Sequence, residues 1–272
     1  MTERQMHEQS DGVLNETTKL LNKQYNAAYK QAKDYLAIEL AKVELSGTAQ
    51  QRYNELLKYD RLDKMCSEVA DIILNANKTT KKEVNNLAVA VYKMNYDWQA
   101  DKLGLDGVNK TESKEAYQEV DMFDVIALAA LTDKDVIERD VKSKIVQAVM
   151  SKAGVRPIIT AVKNVAEKNL SDSVRIATTA TTQTENKGRA DVVEVAKKQG
   201  RKFRKVWRAV GDNRTRPAHR MASGQVQDFD KPFIVGGEKM MYPADVSLGA
   251  SAKNTINCRC RMAVIEYDGQ TS

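Results

Sequence analysis

The chain has 272 residues, with 42% hydrophobic and 29% charged side chains and a net charge of +6. That balance suits a folded chain with a polar surface and excludes a low-complexity or collagen-like polymer. No apolar run approaches the ~18 residues of a membrane span; the longest is Val125–Leu131. The first twelve residues carry Glu3, Arg4, Glu8 and Asp11, so no signal peptide is expected, and three cysteines fit a reducing compartment better than a disulfide framework.

Charge and proline divide the chain. Residues 1–150 sum to −4 and residues 151–272 to +10, and all four prolines follow residue 156. An uninterrupted helical first part is therefore expected over 1–156, followed by a smaller basic part over 157–272. Leu14, Leu21, Tyr25, Ala28, Ala32 and Leu36 form a helical stripe, with a stop expected at Ser46-Gly47. Thr48 and Gln51 have the spacing of a capping box opening a second helix, whose stripe continues through Leu62, Met65, Val69 and Ile72. Thr80 with Glu83 is read as the start of a third helix carrying Val84, Leu87 and Val91. Lys102–Ser113 is read as a loop, and Thr132 as the start of a helix with Ile137, Val141 and Ile145.

A new helical run begins near Gly154, with Ser171 as a candidate cap for a helix into the 180s. Thr178–Thr182 is weak helix material, expected to be helical only if packed. After Gly200 the pattern turns to strands: Phe203–Val210, a Gly236-Gly237 hairpin within Phe233–Met240, and Arg259–Tyr267. The fold class is therefore α+β, mostly helical first and then a small module with short antiparallel strands.

Three groups of residues carry candidate chemistry. Lys187–Arg220 has a net charge of +9 over 34 residues. Lys197, Lys198, Arg201, Lys202, Arg204, Lys205 and Arg208 are its candidate contacts to DNA phosphates or to an acidic partner; the alternative is a solvated face. No helix-turn-helix or zinc-finger spacing is present, so backbone contacts are expected rather than base reading. His219, Cys258 and Cys260 form the second group. Thiolates two residues apart on a strand share a face, and the expectation is a packed face of Cys258, Cys260, Met262 and Val264 with no metal and no cofactor; the alternative is one Zn²⁺ reached by both thiolates with His219. Asp212 is a conceivable fourth ligand. Catalysis is the third: a Cys–His nucleophile pair or a nuclease built on His219 lacks any accompanying motif, and His7 is assigned to a mobile N-terminus, so no catalytic residue and no enzyme are expected.

In order, the C-terminal part reads Trp207, Asp212, Arg214, Arg216, His219, Gly224, then Tyr242-Pro243-Ala244-Asp245, then Asn257-Cys258-Arg259-Cys260. This order resembles the signature of the phage Mu F-like minor head proteins, across roughly residues 160–268, with Thr184-Glu185-Asn186 similar to the helical lead-in. The resemblance implies a protein packaged in few copies inside the head of a tailed phage, made in the host cytoplasm and associated with the portal. It implies portal, major capsid or scaffold proteins and double-stranded DNA as partners, and a part in head assembly, DNA packaging or ejection. Some members append a toxin or nuclease domain; none is expected in the twelve residues after Cys260. A nucleic-acid-binding protein outside the virion, or a metal-dependent nuclease, is the alternative. The expectation for the signature is that Asp212 accepts from Arg214, Arg216 or Arg259 and ties its loop to the last strand, with Trp207 anchoring the core.

Overall fold

The computed structural model describes residues 1–105, 131–152 and 154–267. Among the described residues five longer helices come first: α1 (Glu3–Leu40), α2 (Ala49–Leu57), α3 (Arg61–Lys102), α4 (Lys134–Ser151) and α5 (Val155–Lys198). The strands β1 (Phe203–Arg208), β2 (Val226–Asp228), β3 (Phe233–Val235), β4 (Glu238–Met240) and β5 (Arg261–Glu266) follow, with short helices α6 (Pro217–Ala222) and α7 (Ala252–Thr255) between them. The α+β class expected from sequence is what forms.

Contacts group the chain into two compact units that interleave in sequence. The expected boundary at 156/157 falls in the first turn of α5, which continues unbroken to Lys198. One unit comprises Thr18–Glu83 and Phe123–Val174. In its core the stripe residues read from sequence, Leu36, Val69, Val141 and Ile145, are fully buried, and Leu56 of α2 joins them. Each such side chain contributes about 1.5–3 kcal/mol by leaving water. Tyr25 carries its hydroxyl into this core and donates to Asn77, which in turn donates to the Asn169 side chain at 3.0 Å and to the Leu131 carbonyl. Satisfying these polar groups mutually removes the cost of burying them.

Thr48 and Gln51 make the expected reciprocal cap, Gln51 N–H to Thr48 Oγ1 at 3.3 Å and Thr48 N–H to Gln51 Oε1 at 2.8 Å. Several boundaries differ from expectation. α1 ends at Leu40 rather than at Gly47. Thr80 opens no helix; it lies inside α3, where neither Pro nor Gly interrupts the run, and its hydroxyl turns to Tyr25. Ser171 likewise lies inside α5. Asp133, not Thr132, caps α4 by accepting from the Asp135 and Val136 amides. The loop read at Lys102–Ser113 lies beyond the described residues past Leu105, as does nearly all of Val125–Leu131.

The other unit comprises Met1–Thr17, Val84–Met122 and Arg175–Ser272. Its three-stranded antiparallel sheet has the order β2-β1-β5, with Trp207 opposite Met262 and Lys205 opposite Gln227. The β3-β4 hairpin turns at Gly236 and Gly237, both at positive φ (57° and 85°), as a tight two-residue turn requires. Ala190, Val193 and Ala196 of α5 join Phe203, Trp207, Phe233, Met240, Cys258, Cys260 and Met262 in one core. Thr181, Thr182 and Thr184 are buried, which is the packing their helix needed.

Candidate functional site

Pro217 occupies the first turn of α6, where its missing N–H costs nothing, and this short helix aims His219 inward. α7 ends at Thr255, Ile256 is already extended, and Asn257 takes a left-handed φ of 54° that turns the chain into Cys258-Arg259-Cys260 ahead of β5. Both cysteines are thereby buried on the side facing His219. His219 Nδ1 lies 3.3 Å from Cys260 Sγ and 3.7 Å from Cys258 Sγ, and its Nε2 is buried with no hydrogen-bond partner among the described residues. The Cys260 thiol donating to its neighbour holds Cys258 at about 5, against burial and with help from His219; the same pairing and burial push Cys260 up. The Trp207 ring meets the imidazole edge-on at 5.8 Å and Phe233 at 5.3 Å.

Side chains of α5 grip the backbone on which the thiols sit. Thr182 Oγ1 donates to the Cys258 carbonyl and Asn186 Nδ2 to the Cys260 carbonyl at 3.3 Å. Asn186 Oδ1 accepts from the Met262 amide at 2.7 Å, and Thr179 Oγ1 from the Asn257 amide at 2.9 Å. None of these four contacts was foreseen from sequence; the i, i+4 spacing of Thr182 and Asn186 was the available signal.

The remaining signature residues are mostly ties within the module. Arg259 grips Asp212 through two bonds of 2.8 Å, joining the loop after β1 to the start of β5. Asp212 also accepts from Thr215 Oγ1 and the Arg214 amide, and these donors hold its carboxyl well below the usual carboxylate range. Of the three arginines expected at Asp212, Arg259 makes the bidentate pair, Arg214 lies 3.7 Å away, and Arg216 donates instead to the Ile256 carbonyl. Asp212 is thus engaged with Arg259, and among the described residues the group whose donor atoms could hold a metal ion is His219, Cys258 and Cys260. Gly224 sits at φ 87° where its amide returns to the Trp207 carbonyl. In Tyr242-Pro243-Ala244-Asp245, the buried Asp245 carboxylate accepts from the Met241 and Ser247 amides, while burial pushes the Tyr242 hydroxyl up. A cavity of about 340 Å³ is lined by the three ligand-type residues together with Thr178, Arg214, Arg216 and Arg259.

The basic stretch separates into three fates. Lys198, Lys202 and Arg208 are exposed. Lys197 pairs with Glu194 and Asp230, Arg204 with Asp228, and Arg201 with both oxygens of Glu266 at 2.6 Å. Lys205, expected to touch DNA, is only 1% exposed: its ammonium donates to the Met241 carbonyl at 2.7 Å over Phe229 and Phe233, and burial lowers its pKa to about 8. The odd residue of β1 that strand alternation turns inward cannot reach a phosphate.

Arg189, assigned by sequence to the basic stretch, is instead a core residue. It donates to Glu185 (3.1 Å), Glu3 (3.2 Å) and Asn95 (3.0 Å) and stacks over Trp98. His7, expected in a mobile terminus, is 7% exposed within α1 and contacts both Glu185 and Arg189. A charged side chain is buried where partners satisfy it, and those partners lie far apart in sequence.

Among the described residues no helix is long and apolar enough to cross a membrane. Residues 139–263 match the family described as Phage Mu protein F like protein. The chain is also similar to the Minor head protein GP7 of Bacillus phage SPP1, 26% identical over 270 residues that span 96% of this chain and 85% of that protein. No solved structure gives a significant match. The ordered signature from Trp207 to Cys260 falls within the match: residues 139–263 are similar to the phage Mu F-like family, in a chain similar along nearly its whole length to a phage minor head protein.

Proposed function

We propose that this protein is a minor head protein of a tailed phage, carried in few copies inside the head near the portal and assisting head assembly, DNA packaging or ejection. The observation that carries this reading is the end-to-end similarity to a minor head protein, which extends beyond the family region into the helical first part. The signature residues lend no support to catalysis: Trp207, Asp212, Arg259 and Asp245 are occupied in holding the module together. The role is structural, exercised in the head and, before that, in the host cytoplasm.

Contact with DNA falls to the exposed cations Lys198, Lys202 and Arg208, which meet phosphates without reading bases. Lys197, Arg201 and Arg204 contribute less, because each would exchange an existing carboxylate partner for a phosphate. Titration of double-stranded DNA against the full chain at increasing salt tests this. Neutralising Lys198, Lys202 and Arg208 lowers the salt slope by up to ~0.9 per lost contact, and Lys205→Met leaves it unchanged. Binding that ignores salt, or a slope untouched by the triple substitution, refutes the assignment. The portal association is tested separately, by whether tagged portal protein from procapsids retains this chain; its loss at procapsid-preserving salt refutes it.

A further inference from the structure

We propose that His219, Cys258 and Cys260 bind one Zn²⁺ ion through Nδ1 and the two Sγ atoms, tying α6 to the segment that leads into β5.

Donor geometry is the first support. Around a tetrahedral zinc with Zn–N of about 2.0–2.1 Å and Zn–S of about 2.3 Å, nitrogen and sulfur ligands lie roughly 3.6 Å apart. The two N···S distances here are 3.3 and 3.7 Å, and all three donor atoms fall within 4.8 Å of one another. Two thiols converge on one imidazole nitrogen, which offers a single lone pair. A cation at the centre satisfies all three donors at once.

The second support is the imidazole itself. Its Nδ1 is the nitrogen that faces both sulfurs, and with the ring proton on Nε2 the Nδ1 lone pair is free to ligate. The third is the fixed backbone beneath the ligands. Thr182 and Asn186 hold the carbonyls of the two cysteines, and Arg259, between them, is clamped to Asp212. Metal sites depend on such an outer layer to hold ligands in place. Soft thiolates with one imidazole favour zinc over magnesium or calcium.

Three protein ligands leave a fourth position. The ligating residues also line the 340 Å³ cavity, so water reaches it. Nothing further is required of that water: the ion's contribution is to join two segments 39 residues apart, whose small core gains a cross-link that does not depend on oxidation.

The test uses the full chain, purified under reducing conditions from zinc-supplemented medium. Elemental analysis is expected to give about one zinc per chain, falling to background in Cys258→Ser/Cys260→Ser. To separate loss of metal from loss of fold in that variant, the wild-type chain is also stripped with a chelator and titrated with Co²⁺. A 1:1 endpoint with thiolate-to-cobalt charge transfer and tetrahedral d–d absorption supports the site. A stripped chain with native circular dichroism that develops no charge-transfer band overturns the proposal, as does zinc content unchanged in the double variant. Neither result bears on DNA binding or portal association, so the site can fail while the head-protein reading stands.

Discussion

Replacing Arg189 by leucine removes the hub of the buried polar cluster at the heart of the module-bearing unit. The wild-type guanidinium is 1% exposed and bonds Glu185, Glu3 and Asn95 at 3.0–3.2 Å, with His7 Nδ1 at 3.2 Å and the Met262 carbonyl at 3.4 Å. Leucine keeps most of the volume over Trp98 but leaves the Glu185 carboxylate, 4% exposed, with His7 as its close partner and Asn95 Oδ1 without a donor. Breaking a buried ion pair from one side costs about 3–5 kcal/mol. For a unit of this size, each kcal/mol lowers Tm by about 2–4 °C, giving a fall of roughly 6–20 °C. Thermal and urea unfolding followed by circular dichroism measure it. The same reasoning requires that Arg189→Leu/Glu185→Leu be less damaged than the sum of the single variants, since the second substitution removes the stranded charge. A loss below about 1 kcal/mol for Arg189→Leu, or strict additivity in the cycle, refutes the claim that this cluster holds the unit together.

Three further substitutions probe particular contacts. Gly188→Ala places a Cβ 2.7 Å from the Tyr92 carbonyl oxygen and 3.2 Å from the Tyr96 amide, both backbone atoms, so the variant is expected to lose about 1–3 kcal/mol despite alanine's better helix propensity; a rise in Tm contradicts the close approach of α3 and α5 at this point. For Lys205, the folded pKa of about 8 lies below the ordinary 10.5, so the unfolded chain binds the extra proton between those values and stability from this group rises as pH increases through that window. Lys205→Met abolishes the rise and is at least as stable as wild type below pH 8; a wild-type and variant pair with parallel pH profiles contradicts the burial argument. Asp212→Asn has the opposite pH signature. The native carboxyl is held below its ordinary value of 3.8, so its contribution is complete above that pH and is lost on acidification; the difference between wild type and variant should close as pH falls below about 3.8. A gap that persists in acid assigns the effect to shape rather than charge.

Local signals made most of the helices, the hairpin and the closing strand legible. Thr48 with Gln51, Gly236-Gly237 and the alternation from Cys258 to Met262 are short-range patterns whose geometry needs no distant partner. Helix ends were harder. Thr80 and Ser171 have the chemistry of caps, but each lies in a long run with a packed face, and tertiary burial overrides the local preference. Charge misled most. Lys205 and Arg189 look like surface cations in a basic stretch, and only the fold reveals that Met241, Glu185 and Glu3 satisfy them inside. Of the candidate site, His219, Cys258 and Cys260 were foreseen together, whereas Thr182 and Asn186 were not, because their partners are backbone carbonyls more than 70 residues away. The pairing of Asp212 was foreseen as one of three arginines, and geometry selected Arg259.

The central claim is that this chain is a component of a phage head. Quantitative mass spectrometry of purified procapsids and mature particles tests it most directly. The account predicts the chain in both, at a few copies for each portal and far below the major capsid protein. Its absence from both, in preparations where the portal is readily detected, contradicts the account.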